Sequence, residues 1–118
     1  MTEKAKPVAP GFSTADAESV SLSLCKRNGI LEFIDWHEQP IKVMLVDTIA
    51  LKWQEADSFG SEDRDDMSYE IMDSVWLMEH ISQHIIDPGK GYRHFKLCFN
   101  AAGILEILCR EMKVVKVN

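Results

Sequence analysis

The alternation of apolar and polar residues over 18–26, ESVSLSLCK, is the feature that most constrains the fold of this chain. Such a period of two is typical of a half-buried β-strand, because successive side chains of a strand point to opposite faces. Asn28-Gly29 follows, a dipeptide that suits a two-residue type I′ turn. The next segment, 30–36, therefore predicts a returning strand, and this turn would place Leu24 opposite Phe33.

A near-repeat of this hairpin occurs towards the other end of the chain. LCKRNGILEF at 24–33 is echoed by LCFNAAGILEI at 97–107. The echo predicts a second hairpin with strands at 92–100 and 104–117, although 104–112 also carries residues that favour a helix. We expect the two hairpins to form one antiparallel sheet.

The remaining pattern predicts further strands and a single helix. Asp73 or Ser74 resembles an N-cap ahead of an apolar helical stripe, and Pro88 with Gly89 marks the end of that helix region. The fold class is therefore α+β, mostly antiparallel β-sheet built from two similar hairpins with one helix packed on a face. The predicted strands are 41–46, 49–54 and 68–72, and the predicted helix is 74–85. For 49–54 a helical turn is the alternative, and we favour the strand.

The length of 118 residues predicts one domain. Residues 1–15 are polar and rich in lysine and proline, so we expect a flexible N-terminal tail followed by a single α+β domain over 16–118. The tail carries no apolar run typical of a secretory signal, and no stretch in the chain is apolar enough to span a bilayer. We expect a cytoplasmic protein.

The formal charge of −6 selects among partners. An acidic surface repels nucleic acid and anionic membranes, so we expect neither, and it favours a basic protein partner. Three cysteines lie in apolar runs without metal-ligand spacing, and we expect Cys25, Cys98 and Cys109 to be buried and reduced.

Motifs for catalysis are weak. His80 and His84 lie four residues apart on the predicted helix beside Glu79, a spacing that allows two imidazoles to reach one metal ion. However, Ile81 stands where a zinc-protease motif has glutamate, so two polar residues on an exposed helix edge are the favoured interpretation. The sequence has no nucleophile elbow and no phosphate-binding loop, which favours a protein without catalytic residues or cofactors.

Tryptophans beside acidic residues favour a protein-binding surface, because aromatic side chains anchor an interface and charges steer its partner. The predicted partner-binding residues are Trp36, Asp35, Glu38, Trp53, Glu55 and Asp57. The alternative is a small-molecule protein with an apolar pocket between the sheet and the helix. Its predicted lining is Trp76, Met72, Met78 and Phe95.

Residues 15–34, ADAESVSLSLCKRNGILEFI, resemble the opening of small bacterial immunity-type proteins found beside polymorphic toxins. In that family an Asp-Ala-x-x-x-Ser-Leu-x-Leu run leads into a strand, a turn and a second strand. The matching residues here are Asp16, Ala17, Ser21, Leu22 and Leu24, while Ala15 stands where the family has histidine. The resemblance implies a bacterial, sheet-rich antidote that binds a toxin through surface complementarity and has no catalysis of its own.

A homodimer is also consistent with the sequence. The last predicted strand, which includes 112–117, would expose a sheet edge unless it is paired, and Lys113 and Lys116 are charges that discourage uncontrolled pairing. A symmetric dimer through a sheet edge or the helix would cover such surfaces.

Overall fold

A computed structural model describes residues 3–55, 67–100 and 102–115 of the chain. In these ranges the protein is mostly antiparallel β-strand with one α-helix, and all strand pairs are antiparallel. The strands are β1 (Lys4–Val8), β2 (Glu18–Cys25), β3 (Asn28–Ile34), β4 (Pro40–Val46), β5 (Ala50–Glu55), β6 (Ser68–Met72), β7 (Arg93–Phe99), β8 (Gly103–Cys109) and β9 (Glu111–Val115). The helix is α1 (Val75–Ser82), and a 3₁₀ turn covers Pro88–Lys90.

The strands form two sheets, whereas we expected one. Sheet I has the order β1-β6-β7-β8-β5, and sheet II has the order β2-β3-β4-β9. The β2–β3 pair therefore belongs to sheet II and the β7–β8 pair to sheet I. The chain changes sheets at Arg110, whose backbone N–H donates to the Val46 carbonyl at 2.9 Å, so that β8 ends in one sheet and β9 begins in the other.

The larger of two hydrophobic clusters in the described residues lies between the two sheets. Each sheet turns one apolar face towards the other, because alternate residues of a strand share a face and burial of these side chains is favourable. The core residues on these strands are Leu31, Phe33, Val43 and Leu45 from sheet II, and Phe95, Leu97, Phe99, Leu105, Ile107 and Cys109 from sheet I. Phe33 and Phe99 meet edge-on across the core, with ring centroids 5.4 Å apart.

The turn between β2 and β3 differs from the prediction. Cys25 pairs with Asn28, so Lys26 and Arg27 form the turn, and Leu24 lies opposite Gly29 and not opposite Phe33. The reason is that Asn28 and Gly29 bind the link between β4 and β5. The Asp47 N–H donates to Asn28 Oδ1 at 3.1 Å, and the Gly29 N–H donates to Thr48 Oγ1 at 3.2 Å.

The N-terminal segment also differs from the flexible tail that we expected over residues 1–15. Lys4–Val8 forms the edge strand of sheet I and pairs with β6 from Lys4 opposite Met72 to Val8 opposite Ser68. Thr14 is buried. The polar composition of this segment reflects the solvent exposure of an edge strand and does not make it a loose tail.

Helix α1 is shorter than the predicted 74–85. Of the two N-cap candidates, Asp73 and Ser74, it is Ser74 that caps the helix, with Oγ accepting the Leu77 N–H at 3.0 Å. The helix ends at Ser82 because His84 adopts a left-handed backbone with φ +60°, which turns the chain so that Ile86 is buried. Among the described residues, no helix has the length and apolar character needed to cross a membrane.

The two ambiguous segments are strands. Residues 49–54, for which we favoured a strand, contain most of β5, and residues 104–112, which also carried helix-forming residues, are divided between β8 and β9. Cross-strand pairing with β7, β5 and β4 overrides the helix propensity of this region.

Candidate functional site

Trp36 lies on the turn between β3 and β4 and is 55% exposed. Its ring lies against the His37 imidazole, with ring centroids 3.5 Å apart. Asp35, which we predicted to steer a partner, instead holds the turn: its Oδ1 accepts the N–H groups of His37 at 3.0 Å and Gln39 at 2.8 Å. Glu38 is exposed at a left-handed position of the same turn, with φ +61°.

Trp53 lies on β5, in the other sheet from the Trp36 turn, and is 43% exposed. Its ring centroid is 6.3 Å from that of Phe99 in the core. The other predicted partner-binding residues near Trp53 are Glu55 and Asp57. The Glu55 side chain and residue Asp57 lie outside the described part of the chain. Both tryptophans are thus exposed, Trp36 on the β3–β4 turn of sheet II and Trp53 on β5 of sheet I.

Trp53 lines an apolar cleft at one side of the two-sheet assembly, where β2 is the edge of sheet II and β5 is the edge of sheet I. The cleft has a volume of about 210 Å³. Leu31 and Leu105 are buried at its floor, and Leu22 and Trp53 are exposed at its rim. We call this surface the edge cleft; its lining residues are Val20, Leu22, Leu31, Trp53 and Leu105.

The predicted apolar pocket between sheet and helix is divided between two faces of sheet I. Phe95 belongs to the core between the sheets, whereas Trp76 contacts His94, the neighbour of Phe95 that points to the opposite face of β7. Met72 and Met78 are exposed. A groove of about 450 Å³ does run beside α1, lined by Asp73, Val75, Met78, Glu79 and Ser82, but it includes only Met78 of the predicted set.

The predicted histidine pair does not share a helix. His80 lies in α1, but His84 lies beyond its last residue at a left-handed backbone position, so the four-residue spacing does not align the two rings. His80 Nδ1 is also 2.9 Å from the Trp76 carbonyl oxygen. Within the described ranges, no group of three or more histidine, cysteine, aspartate or glutamate residues is placed to hold a metal ion.

A polar network that the sequence did not reveal lies between α1 and the outer face of sheet I. Ser74 Oγ is 2.7 Å from His94 Nδ1, and His94 Nε2 is 2.8 Å from Glu106 Oε1. Ser74 and His94 are buried. The hydrogen bond from His94 lowers the pKa of Glu106 below its ordinary value, and the charges of Lys52 and Lys96 lower it further.

These three side chains are of the types that form a charge relay in serine hydrolases, but their arrangement favours a structural role. Ser74 Oγ already accepts the Leu77 N–H, and the residue is only 3% exposed. A nucleophile must reach a substrate carbonyl, which this hydroxyl does not do while it caps the helix. Both ring nitrogens of His94 have a polar partner within this network, Nδ1 at Ser74 and Nε2 at Glu106.

The cysteines only partly follow the expectation. Cys98 and Cys109 are buried thiols, and burial raises the pKa of Cys109 to about 12. Cys25 is exposed, because it precedes the turn of an edge strand whose side chains face solvent. All three cysteines lie in apolar runs of the sequence, so the sequence pattern did not distinguish the exposed Cys25 from the buried Cys98 and Cys109.

Comparisons of the chain with protein-family models, with curated proteins and with solved structures find no match.

Proposed function

We propose that this protein is a non-enzymatic protein-interaction module that binds a basic protein partner through the edge cleft and the adjoining β2 strand. The observation that carries the proposal is the exposure of large apolar side chains at a sheet edge that pairs with no other strand among the described residues. Leu24 is 64% exposed on β2, and Leu22 and Trp53 are exposed at the cleft rim. Aromatic and aliphatic side chains in such positions anchor protein interfaces.

The β2 edge differs from the other sheet edges of the described structure. Native edge strands commonly carry charges that prevent pairing with another chain. β1 has Lys4 and Lys6, and β9 has Lys113, whereas residues 19–25 of β2, SVSLSLC, carry no charge. An uncharged edge beside an apolar cleft is suited to receiving an extended segment of a partner, whose backbone would pair with β2.

Charge supports a basic partner. The chain has a formal charge of −6, and acidic residues lie close to the uncharged edge. Glu18 begins β2, and Glu32 pairs with Ser21 across the β2–β3 ladder. Complementary charges at an interface rim increase the association rate and disfavour acidic competitors.

The resemblance to immunity-type proteins gives this proposal a more specific form. The segment that carries the resemblance, residues 15–34, contains β2 and β3 and therefore the uncharged edge. We propose that the partner is a basic toxin and that the protein acts as an antidote by covering a surface of that toxin. The edge cleft supplies apolar anchors for such a contact, and the module itself performs no catalysis.

Native mass spectrometry of the protein purified from its own cells with bound neighbours tests this proposal. Two variants, Leu24→Ser and Trp53→Ala, remove anchors from the proposed surface. Met78→Ser is the matched control, since Met78 is a comparably exposed apolar residue on α1, 59% exposed. Thermal unfolding of each variant verifies that the fold is retained.

We expect the native chain and the Met78→Ser variant to form a stoichiometric complex with a basic protein. The Leu24→Ser and Trp53→Ala variants should not form this complex. Loss of one interface anchor typically weakens binding by about 1–2 kcal/mol or more, or roughly tenfold and above. A complex that survives both anchor variants would place the interface elsewhere. A spectrum showing only a dimer of this chain that both variants disrupt would replace the basic partner with a second copy.

A further inference from the structure

A polar pocket of about 370 Å³ lies away from the edge cleft and shares none of its residues. Three cations line it: Arg27 from the β2–β3 turn, Lys90 from the 3₁₀ turn, and Arg110 from the bend between β8 and β9. Residues distant in the sequence thus bring positive charge to one concavity. We call it the arginine pocket.

The two guanidinium groups are held by groups of the pocket itself. Arg110 Nη1 is 3.2 Å from Asp47 Oδ2, and Arg27 Nε is 4.0 Å from Asp47 Oδ1. Arg27 Nη2 also donates to Tyr92 Oη at 3.1 Å. A single carboxylate and a phenol therefore orient both arginines towards the same cavity.

Hydrogen-bonding capacity remains after these contacts. A guanidinium has five N–H donors in a fixed fork, and the bonds above use few of them. Tyr92 Oη accepts from Arg27, so its own proton is available to donate. The side chains of Arg27 and Arg110 are 65% and 50% exposed, which leaves their other donors accessible from solvent.

The local charge opposes that of the whole chain. Arg27, Lys90 and Arg110 face the carboxylates Asp47 and Asp87, which leaves the pocket one positive charge in excess when His84 is neutral. The formal charge of the chain is −6. Exposed ion pairs contribute little to stability, so fold stability alone gives a weak reason for this concentration of cations.

The backbone around the pocket is also unusual. Lys26, Asp47 and His84 adopt left-handed conformations with φ of 59°, 53° and 60°, and each lines the pocket or adjoins a residue that does. Such conformations are unfavourable for residues other than glycine, and they also occur away from the pocket, at Asp16, Ser19, Glu38 and Asp73. Around the pocket they turn the chain beside Arg27, at Asp47 and at His84, three residues that line it.

We propose that the arginine pocket binds a small molecule that carries a phosphate group. Paired guanidinium forks match the oxygens of a phosphate dianion, and a phenol and an ammonium group supply further donors. The cavity volume falls in the range of small-ligand sites, and its charged lining is unsuited to an apolar ligand. This site is independent of the proposed interaction at the edge cleft.

Titration of the native chain by NMR, observing backbone amide signals, tests the proposal with two probes, inorganic phosphate and ribose 5-phosphate. The variants are Arg27→Gln and Arg110→Gln, each of which removes one guanidinium. Lys113→Gln is the matched control, because it removes one exposed positive charge outside the pocket. Sodium chloride at equal ionic strength controls for screening.

We expect saturable shifts of the Lys90, Tyr92 and Arg110 signals with at least one probe. Each arginine variant should weaken that binding by about tenfold or more, as expected for the loss of a charged hydrogen bond, whereas Lys113→Gln should bind as the native chain does. Tighter binding of ribose 5-phosphate would identify an organic phosphate as the ligand class, and equal binding would identify free phosphate. The absence of saturable shifts, or equal weakening by Lys113→Gln, would overturn the proposal.

Discussion

Replacement of Ser74 with alanine should destabilise the protein far more than an ordinary serine substitution in a helix. Ser74 Oγ accepts the Leu77 N–H at 3.0 Å, and loss of such an N-cap costs about 1 kcal/mol. The same hydroxyl lies 2.7 Å from Nδ1 of buried His94, and leaving that nitrogen without a partner costs about 1–3 kcal/mol. We therefore expect a loss of about 2–4 kcal/mol in the free energy of unfolding.

Such a loss is large for a chain of this length, since domains are stable by about 5–15 kcal/mol, and it corresponds to a fall in Tm of roughly 10 °C. Urea unfolding followed by circular dichroism and tryptophan fluorescence measures it. Ser82→Ala is the control, because Ser82 Oγ donates to the Glu79 carbonyl on the exposed side of the same helix, and its loss should cost under about 0.5 kcal/mol.

A double-mutant cycle tests whether the effect passes through His94. Ser74 and Glu106 both bind this ring, so the losses caused by Ser74→Ala and Glu106→Gln should be non-additive by about 0.5 kcal/mol or more. A Ser74→Ala loss equal to that of Ser82→Ala would refute the reasoning, and strict additivity would show that the network is two independent contacts.

Two further predictions concern the sheets and acid stability. A Cβ at Gly103 would clash with the Gln54 carbonyl oxygen, so Gly103→Ala should lower the free energy of unfolding in urea by about 1–3 kcal/mol or more. The control is Gly89→Ala, because a Cβ at Gly89 meets open space, and it should change the free energy of unfolding by under about 1 kcal/mol. The pKa of Glu106 is lower in the folded state than its ordinary value of 4.5. The ionised carboxylate therefore contributes its full share to the free energy of unfolding above the unfolded pKa, and this share is lost as the pH falls through the folded pKa. The stability difference between the native chain and Glu106→Gln, measured in urea from neutral to acid pH, should therefore shrink only at the acid end; a difference independent of pH would contradict the role of the carboxylate.

The sequence predicts most strands because strand alternation is a local property. The predicted positions 41–46 and 68–72 agree with β4 and β6 to within a residue. Residues 4–8 were missed because an exposed edge strand lacks a covered face, and its composition then resembles a tail.

The register of the β2–β3 pair and the number of sheets could not be predicted from the sequence, because both depend on contacts between residues far apart in the chain. Asn28 and Gly29 have the composition of a turn, yet they serve the link after β4, about twenty residues away. Likewise, the near-repeat predicted two hairpins in one sheet, but nothing local to either repeat indicates that β2–β3 and β7–β8 lie in different sheets or that β8 continues into the opposite sheet.

The candidate sites show the same limit. Trp36 and Trp53 are exposed, but a position near a strand end does not by itself distinguish an exposed ring from a buried one. The Ser74–His94–Glu106 network and the arginine pocket were missed because their members are far apart in the chain, with Asp47 and Arg110 separated by 63 positions. Only the N-cap role of Ser74 carried a local signal.

Strand β5 lies between the polar network and the edge cleft. Because its side chains alternate between the two faces of sheet I, successive residues face one or the other. Lys52 Nζ lies 4.1 Å from the Trp76 ring on the helix side of sheet I, while the neighbouring Trp53 lines the cleft on the other side. Because β5 is the edge of sheet I, its ladder with β8 is the hydrogen-bonded pairing that positions both side chains. The close approach of Gly103 to Gln54 belongs to this ladder, so the orientation of Trp53 in the cleft follows from backbone pairing and does not require the Ser74–His94–Glu106 network.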